Sequence, residues 1–321
     1  MKALPSLAKA LAWLAAVYAA MFAFDSSGLA NPYWLQVFEL ACITAISALG
    51  LNVIYGFTGL FSLGHAAFYG IGAYTAALTL KSLGVESQPA FLCALLAGAA
   101  AAALVALLVG VSTIRLTSDY LGIATLGFGI IMKVVFDNAD SFIPRLGGAR
   151  GMTGIAKMTT LPWAFVLLGG SLLVIRNLVH SSYGRALVSI REDEIAAGAM
   201  GIDTFRYKTA GFVIGCAFAG LAGGLYAHLY AFLHPSNFDF FKSVDVLVIV
   251  VLGGLGNMSG TLVASFGWVF LLETLRVVLP PEYVEFRWVL IPILLVVTML
   301  ARPRGLLGIG EFRFLRGGAG R

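Results

Sequence analysis

Residues 49–74 read LGLNVIYGFTGLFSLGHAAFYGIGAY, and this run decides how the chain is built. It places Gly50, Gly56, Gly59, Gly64, Gly70 and Gly72 at the junction of two apolar stretches. Glycine accepts backbone conformations closed to other residues, so such a junction permits a tight turn or a broken helix inside a membrane. Asn52, Thr58, Ser62 and His65 bring polar groups to the same place. In hydrocarbon these are costly unless they find partners or line a path.

The rest of the chain supports a membrane setting. Of 321 residues, 60% are hydrophobic and only 12% are charged. Mean hydropathy is +0.92. A soluble domain carries about twice that charge, because it must cover its core with polar surface. The net charge of +5 sits between apolar blocks, as a topology signal and a contact for anionic headgroups. With no zinc finger, basic helix face or RNA-binding signature, nucleic acid is not an expected partner. Cys42, Cys93 and Cys216 lie in apolar runs without metal-ligand spacing. They read as buried inert thiols, and neither a metal site nor a disulfide framework is expected.

Apolar segments near the length that spans a bilayer fall at residues 7–24, 37–55, 66–80, 90–111, 120–136, 161–179, 210–232 and 288–300. Residues 244–279 are too long for one span and are interrupted at Gly253-Gly254-Leu255-Gly256-Asn257. They read as a short or re-entrant segment followed by a full helix. Lys2 and Lys9 precede the first stretch, which is taken as a retained helix rather than a cleaved signal. Basic residues collect at that terminus, in residues 176–208 and in the tail at Arg302, Arg304, Arg313, Arg316 and Arg321. All three regions are expected on the cytoplasmic side. Parity then favours an even number of crossings. The expected fold is all-α, a polytopic membrane protein of about 10 transmembrane or re-entrant helices with glycine-rich breaks. The loop at 137–160 then falls outside, although Arg145, Arg150 and Lys157 there fit the positive-inside bias poorly. Residues 1–305 are expected to form one transmembrane domain and 306–321 a basic cytoplasmic tail, with 312–321 disordered.

A second glycine break lies at residues 250–267, VVLGGLGNMSGTLVASFG. Its loose likeness to the first is compatible with two related halves. Asn52, Gly56, Gly59, Ser62, Gly64, His65, Gly253, Gly254, Gly256 and Asn257 are therefore candidates for lining or gating a translocation path. Close helix packing through small residues explains the glycines equally well. A third cluster, from Gly147 to Ile155, reads as compact turn structure. Glu39, Asp119, Lys133, Asp245 and Glu273 sit near segment ends, so no span interior carries an acidic relay. His65 and His228 lie within apolar segments, as packing residues or as polar contacts for a solute.

The loop at 180–208 differs from everything around it. Residues 182–208 read SYGRALVSIREDEIAAGAMGIDTFRYK. Good helix formers from Ala186 to Met200 predict one short helix with Leu187, Ile190, Ile195 and Ala199 on one stripe. Gly201 is placed to cap its C-terminal end. Charge is balanced across the loop, which argues for a protein partner over lipid attraction. The chain has no phosphate-binding GxxxxGK[ST] loop, HExxH, CxxC or GxSxG, and no paired carboxylates in catalytic spacing. Non-catalytic transport is expected, with any ATP and Mg bound by another chain.

The two glycine breaks, the loop and the weaker Gly-Gly pattern at 147–151 together resemble the branched-chain amino acid ABC transporter permease family, in its LivM-like branch. The likeness covers residues 35–305. It implies a bacterial inner-membrane subunit that pairs with a homologous second permease, engages two ATPase subunits and receives its small-molecule substrate from an extracytoplasmic binding protein. It also implies that Gly184, Arg185, Arg191, Glu192, Asp193, Glu194 and Gly201 belong to the segment that couples to the ATPase. Gly198 stands where the family often has a bulkier residue. Relatives of this branch carry branched-chain amino acids, urea, short amides or other small organic solutes. A self-contained channel or secondary carrier remains the alternative of a different class, and it has no need of an ATPase dock.

Overall fold

The computed structural model describes residues 31–116 and 118–278, with residues 293, 296, 297, 300, 302, 305–308, 310–312 and 315 beyond them. The expected helix at 7–24 and most of that at 288–300 lie outside the described residues. Helices run in the order α1 (Pro32–Leu51), a π-helical turn (Asn52–Phe57), α2 (His65–Leu83), α3 (Gln88–Thr113), α4 (Ser118–Asp137), α5 (Ala139–Phe142), α6 (Leu161–His180), α7 (Ser182–Glu192), α8 (Glu194–Ala199), α9 (Thr204–Tyr230), α10 (Phe240–Gly253) and α11 (Met258–Val278). Among the described residues, six helical segments are long and apolar enough to cross a membrane: Pro32–Phe57, Gln88–Thr113, Asp119–Asp137, Leu161–His180, Thr204–Tyr230 and Met258–Val278. Strand pairing among the described residues amounts to one antiparallel bridge, Met152 with Leu233. The chain is an all-α polytopic membrane protein.

Local sequence sets the helix starts. Asn31 accepts a hydrogen bond from Tyr33 N through its side chain at 3.0 Å, and Pro32 occupies the first turn of α1. Ser87 and Pro89 play the same parts for α3. Both arrangements use positions where amide hydrogens have no helical acceptor.

Helices α1, α2 and α9 form the centre, with α3 packed against α2 and α9. Their backbones approach too closely for any side chain. A Cβ on Gly72 of α2 would lie 2.1 Å from the Gly220 carbonyl oxygen of α9. On Gly50 of α1 it would lie 2.5 Å from Gly215 O. Small residues thus supply the packing that hydrophobic burial supplies in water. The outer helices turn Leu104, Leu108, Ile123, Ile131 and Val174 outward, as a lipid-facing surface demands. Cys93 is exposed on α3 rather than buried as expected, whereas Cys42 and Cys216 are buried.

Some polar links between distant segments sit near helix ends. Lys133 near the end of α4 pairs with Asp239 at the start of α10 at 3.2 Å. Tyr33 Oη donates to Glu273 at 2.8 Å. The tail expected to begin at 306 is fastened to the bundle: Leu306 N donates to Leu252 O at 2.8 Å, Phe312 N to Ser259 Oγ at 2.8 Å, and Leu315 is buried. Leu306 and Phe312, both expected in that tail, are thus bonded to the bundle.

Candidate functional site

The two glycine breaks meet. At the first, α1 widens into the π-helical turn, with Thr58 N bonded to Val53 O at 3.2 Å. Such widened turns are uncommon and cluster at functional positions. At the second, α10 stops at Gly253, and Gly254 and Gly256 adopt φ of +104° and +76°. Those left-handed values favour glycine, and they turn the chain into α11.

Asn52 joins the breaks. It is fully buried. Its Oδ1 accepts from Gly256 N at 2.9 Å, and its Nδ2 donates to Asn257 O at 3.2 Å and to Thr261 Oγ1 at 2.9 Å. Gly56 must lack a side chain here, because a Cβ would fall 1.8 Å from Asn52 Oδ1 and 2.5 Å from Gly256 N. Asn257 extends the network to the tail. Its Nδ2 donates to Gly308 O at 2.9 Å and Gly310 O at 3.1 Å, while its Oδ1 accepts from Gly260 N at 2.8 Å. Glu311 Oε1 accepts from Met258 N at 3.3 Å, which sets a carboxylate at the positive end of α11.

Arg191 completes the junction from the loop. Its Nη1 donates to Gly56 O at 2.7 Å, a charge-assisted bond. Its stem packs on Gly59, where a Cβ would lie 3.1 Å from Arg191 Cγ. A Cβ on Gly256 would lie 2.9 Å from Nη1. Three glycines of two separate breaks thus make the groove that one arginine fills. Its remaining side, Nη2 and Nε, meets the neighbouring Glu192. The structure turns the guanidinium of Arg191 into the bundle.

The loop around it is built to hold that position. Ser181 caps α7 by accepting from Gly184 N at 3.3 Å. Gly184 itself leaves no room, since a Cβ would be 2.2 Å from Val179 O. Leu187 and Ile190 are buried against the bundle, as the expected stripe requires. Tyr183 Oη donates to Tyr207 O at 3.0 Å; burial first, and the neighbouring Tyr207 second, push its hydroxyl up to about 12. The single helix expected from 186 to 200 is instead two. Asp193 adopts an extended φ of −154° and accepts from Ala196 N at 2.9 Å as the cap of α8. Capping by aspartate outcompetes helix continuation there. Gly201 ends α8 as expected, at φ +85°, with Ile202 N bonded to Ala197 O at 3.1 Å and Gly201 N to Gly198 O at 3.0 Å, the double bond pattern of a left-handed helix stop.

The break also redirects the apolar stripe. Ile195 is 86% exposed and Met200 83% exposed, so α8 presents them outward beside Glu192 and Asp193. Glu194 pairs with Lys208, and Arg185 Nη1 reaches back to His180 O at 3.3 Å. Met200 was absent from the expected contacts. An apolar residue retained in a polar loop is the signal that marks it.

Ser62, Gly64 and His65 do not join the Asn52 network. Gly64 packs on α4, with a Cβ position 2.3 Å from Thr125 O. His65 Nε2 lies 3.0 Å from Ser47 O, and Ser62 is buried. Gly253 and Gly260 touch within the second break, 1.9 Å separating a Cβ on Gly260 from Gly253 O. Among the described residues no cluster of His, Cys, Asp or Glu is arranged to hold a metal ion.

Comparison with known proteins matches residues 33–299 to the family described as the permease component of branched-chain amino acid transport systems. The high-affinity branched-chain amino acid transport system permease protein LivM of Escherichia coli is 35% identical, over 85% of this chain and 69% of LivM. Its counterpart in Salmonella typhimurium is 34% identical over the same shares. The permease protein LivH of Salmonella typhimurium is 26% identical, over 83% of this chain and 92% of LivH. No solved structure matches the chain.

Proposed function

The chain belongs to the branched-chain amino acid transport permease family, and from that premise we propose that it is the inner-membrane subunit that turns a partner ATPase's cycle into alternating access for branched-chain amino acids. The observation that carries this is Arg191: one side chain of the coupling loop reaches Gly56 O and fills the groove between both helix breaks. A shift of α7 and α8 is therefore felt at both breaks together. Broken helices with glycine hinges are where such a displacement becomes a change of access.

The complete importer contains a homologous second permease, two ATPase subunits that bind ATP and Mg, and an extracytoplasmic protein that delivers substrate. Likeness to both LivM and LivH supports the pairing of two related permeases. The ATPase docks on α8. Exposed Ile195 and Met200 supply the apolar anchor, and Glu192 and Asp193 supply its charged rim. Apolar anchors within a polar rim are the usual anatomy of such contacts.

Ten crossings fit this assembly, with the basic tail and the loop at 180–208 both in the cytoplasm. Their common side is supported by the tail's bonds to Asn257 and by Arg191 beside Gly256, which bring both regions to one turn. The bridge between Met152 and Leu233 then marks the outer end.

Replacing Arg191 with alanine in the complex tests the coupling. Leucine uptake is expected to fall at least about tenfold, the scale of a lost charge-assisted hydrogen bond. Co-purification of the ATPase should persist, because Ile195 and Met200 are untouched. Normal uptake by the Arg191→Ala complex would overturn the proposal.

A further inference from the structure

The tail runs alongside the second break, residue beside residue. Gly305 lies on Gly253 and Gly254, where a Cβ would fall 2.5 Å from Gly254 Cα and 2.8 Å from Gly253 C. Leu306 N donates to Leu252 O at 2.8 Å. Further along, Gly308 O and Gly310 O accept from Asn257 Nδ2, Glu311 Oε1 accepts from Met258 N, and Phe312 N donates to Ser259 Oγ. One segment of chain thus holds the end of α10 and the start of α11 together. Two helices that meet at a glycine hinge keep their angle while a strap is fixed to both.

The strap also holds its own shape. Gly305 N donates to Arg302 O at 2.9 Å, Gly308 N to Gly305 O at 3.2 Å, Gly310 N to Leu307 O at 3.0 Å and Leu315 N to Phe312 O at 2.8 Å. Gly305 and Gly308 take φ of +82° and +55°, values that let glycine turn the chain tightly. Arg302 Nη1 donates to Leu306 O at 3.2 Å. A chain of bonded turns moves as one piece.

Its two attachments differ in strength. At the start of α11 it makes four hydrogen bonds, to Asn257 twice and to Met258 and Ser259 once each. One of these sets the Glu311 carboxylate at the positive end of the helix, and Leu315 is buried. To α10 the described residues make one hydrogen bond, at Leu252 O. That carbonyl lies in the last turn of α10, where the helix itself supplies no donor and water can replace Leu306 N. The attachment to α10 is therefore the one that gives first.

We propose that the tail is a latch on the second break: it stays on α11 and releases α10 at Leu252 each time access changes. The latch rests on the reading of the chain as a permease whose breaks move during transport. It is separate from the ATPase dock on α8 and from the bond between Arg191 and Gly56 O.

Two measurements on the complete transport complex in nanodiscs test it. In the first, amide hydrogen exchange of the wild-type chain is compared between the resting complex and the complex trapped with ATP and vanadate. The Leu306 amide is expected to lose about tenfold in protection on trapping, the scale of one released hydrogen bond, while the Phe312 amide keeps its own. In the second, Leu252→Cys and Leu306→Cys are introduced together and joined by a short bismethanethiosulfonate, which dithiothreitol removes. Leucine uptake should be lost on joining and return on reduction. Each single variant, treated alike, should keep its uptake, which controls for reaction at the exposed Cys93. Equal protection of Leu306 in both states, or full uptake by the joined complex, would overturn the latch. So would loss of protection at Phe312 together with Leu306, since the tail would then leave α11 as well. Wild-type uptake is measured alongside. Uptake with an unreleased Leu306 removes the latch and keeps the permease, whereas a wild-type complex that takes up no leucine removes the permease reading and the latch with it.

Discussion

The two glycine breaks look alike as strings and differ as structures. In the first, α1 keeps its helical course and only widens, so Asn52 and Gly56 remain on a helix. In the second, α10 ends and two left-handed glycines reverse local geometry before α11 begins. The first break is surrounded by core, whereas the second is backed by the tail at Gly308, Gly310 and Phe312. The difference teaches a division of labour. The first break offers a carbonyl, Gly56 O, and a side-chain amide, Asn52. The second offers backbone groups, Gly256 N and Asn257 O, that those can meet. Arg191 bonds directly to the first and only abuts the second, and Asn52 links the two.

The sharpest way to break this scheme is to put a side chain on Gly56. A Cβ there overlaps Asn52 Oδ1, and the neighbours are backbone or fully bonded amide, so nothing can give way cheaply. Gly56→Ala is expected to cost several kcal/mol, roughly the upper range for overpacking, and to remove folded protein from detergent extracts assayed by size exclusion. Next is Asn52→Ala, which strands Gly256 N and leaves Asn257 O bonded only to Thr261. Leaving buried groups unpaired costs about 1–3 kcal/mol each, and the thermal midpoint of the purified complex should fall accordingly. Asn257→Ala should resemble it if the breaks act as one unit, and a double substitution should then be less than additive. A smaller effect is expected from Glu311→Gln, which removes a negative charge from the start of α11. A helix-end charge contributes about 0.3–1 kcal/mol, so folding should survive while the tail becomes more susceptible to protease. The smallest is Glu194→Gln. Its ion pair with Lys208 is half exposed on the glutamate side, and such pairs contribute at most about 1 kcal/mol; unchanged uptake is expected.

How much of this was legible in the sequence follows from the range of the interactions. The breaks were visible because glycine clusters and an over-long apolar run are local signals. The loop at 180–208 stood out because its charge is unlike its surroundings, and the stop at Gly201 follows from residues within one turn. Asp193 was misjudged for a local reason: good helix formers on both sides hid an aspartate whose side chain caps a new helix. The meeting of Asn52 with Gly256, more than 200 residues apart, has no local signature. Nor has the inward course of Arg191, since an arginine beside Glu192, Asp193 and Glu194 reads as a surface charge until the groove of Gly56, Gly59 and Gly256 is in place.

The most direct measurement of the central claim is the number of leucine molecules taken up per ATP hydrolysed by the reconstituted complex carrying Arg191→Lys. Lysine keeps the charge, but its point-like ammonium on a flexible stem does not reproduce the fixed fork of a guanidinium, so the link to Gly56 O is weakened while the dock on α8 is intact. The account predicts sustained ATP hydrolysis with a much reduced yield of transported leucine. An unchanged yield at unchanged hydrolysis would contradict it.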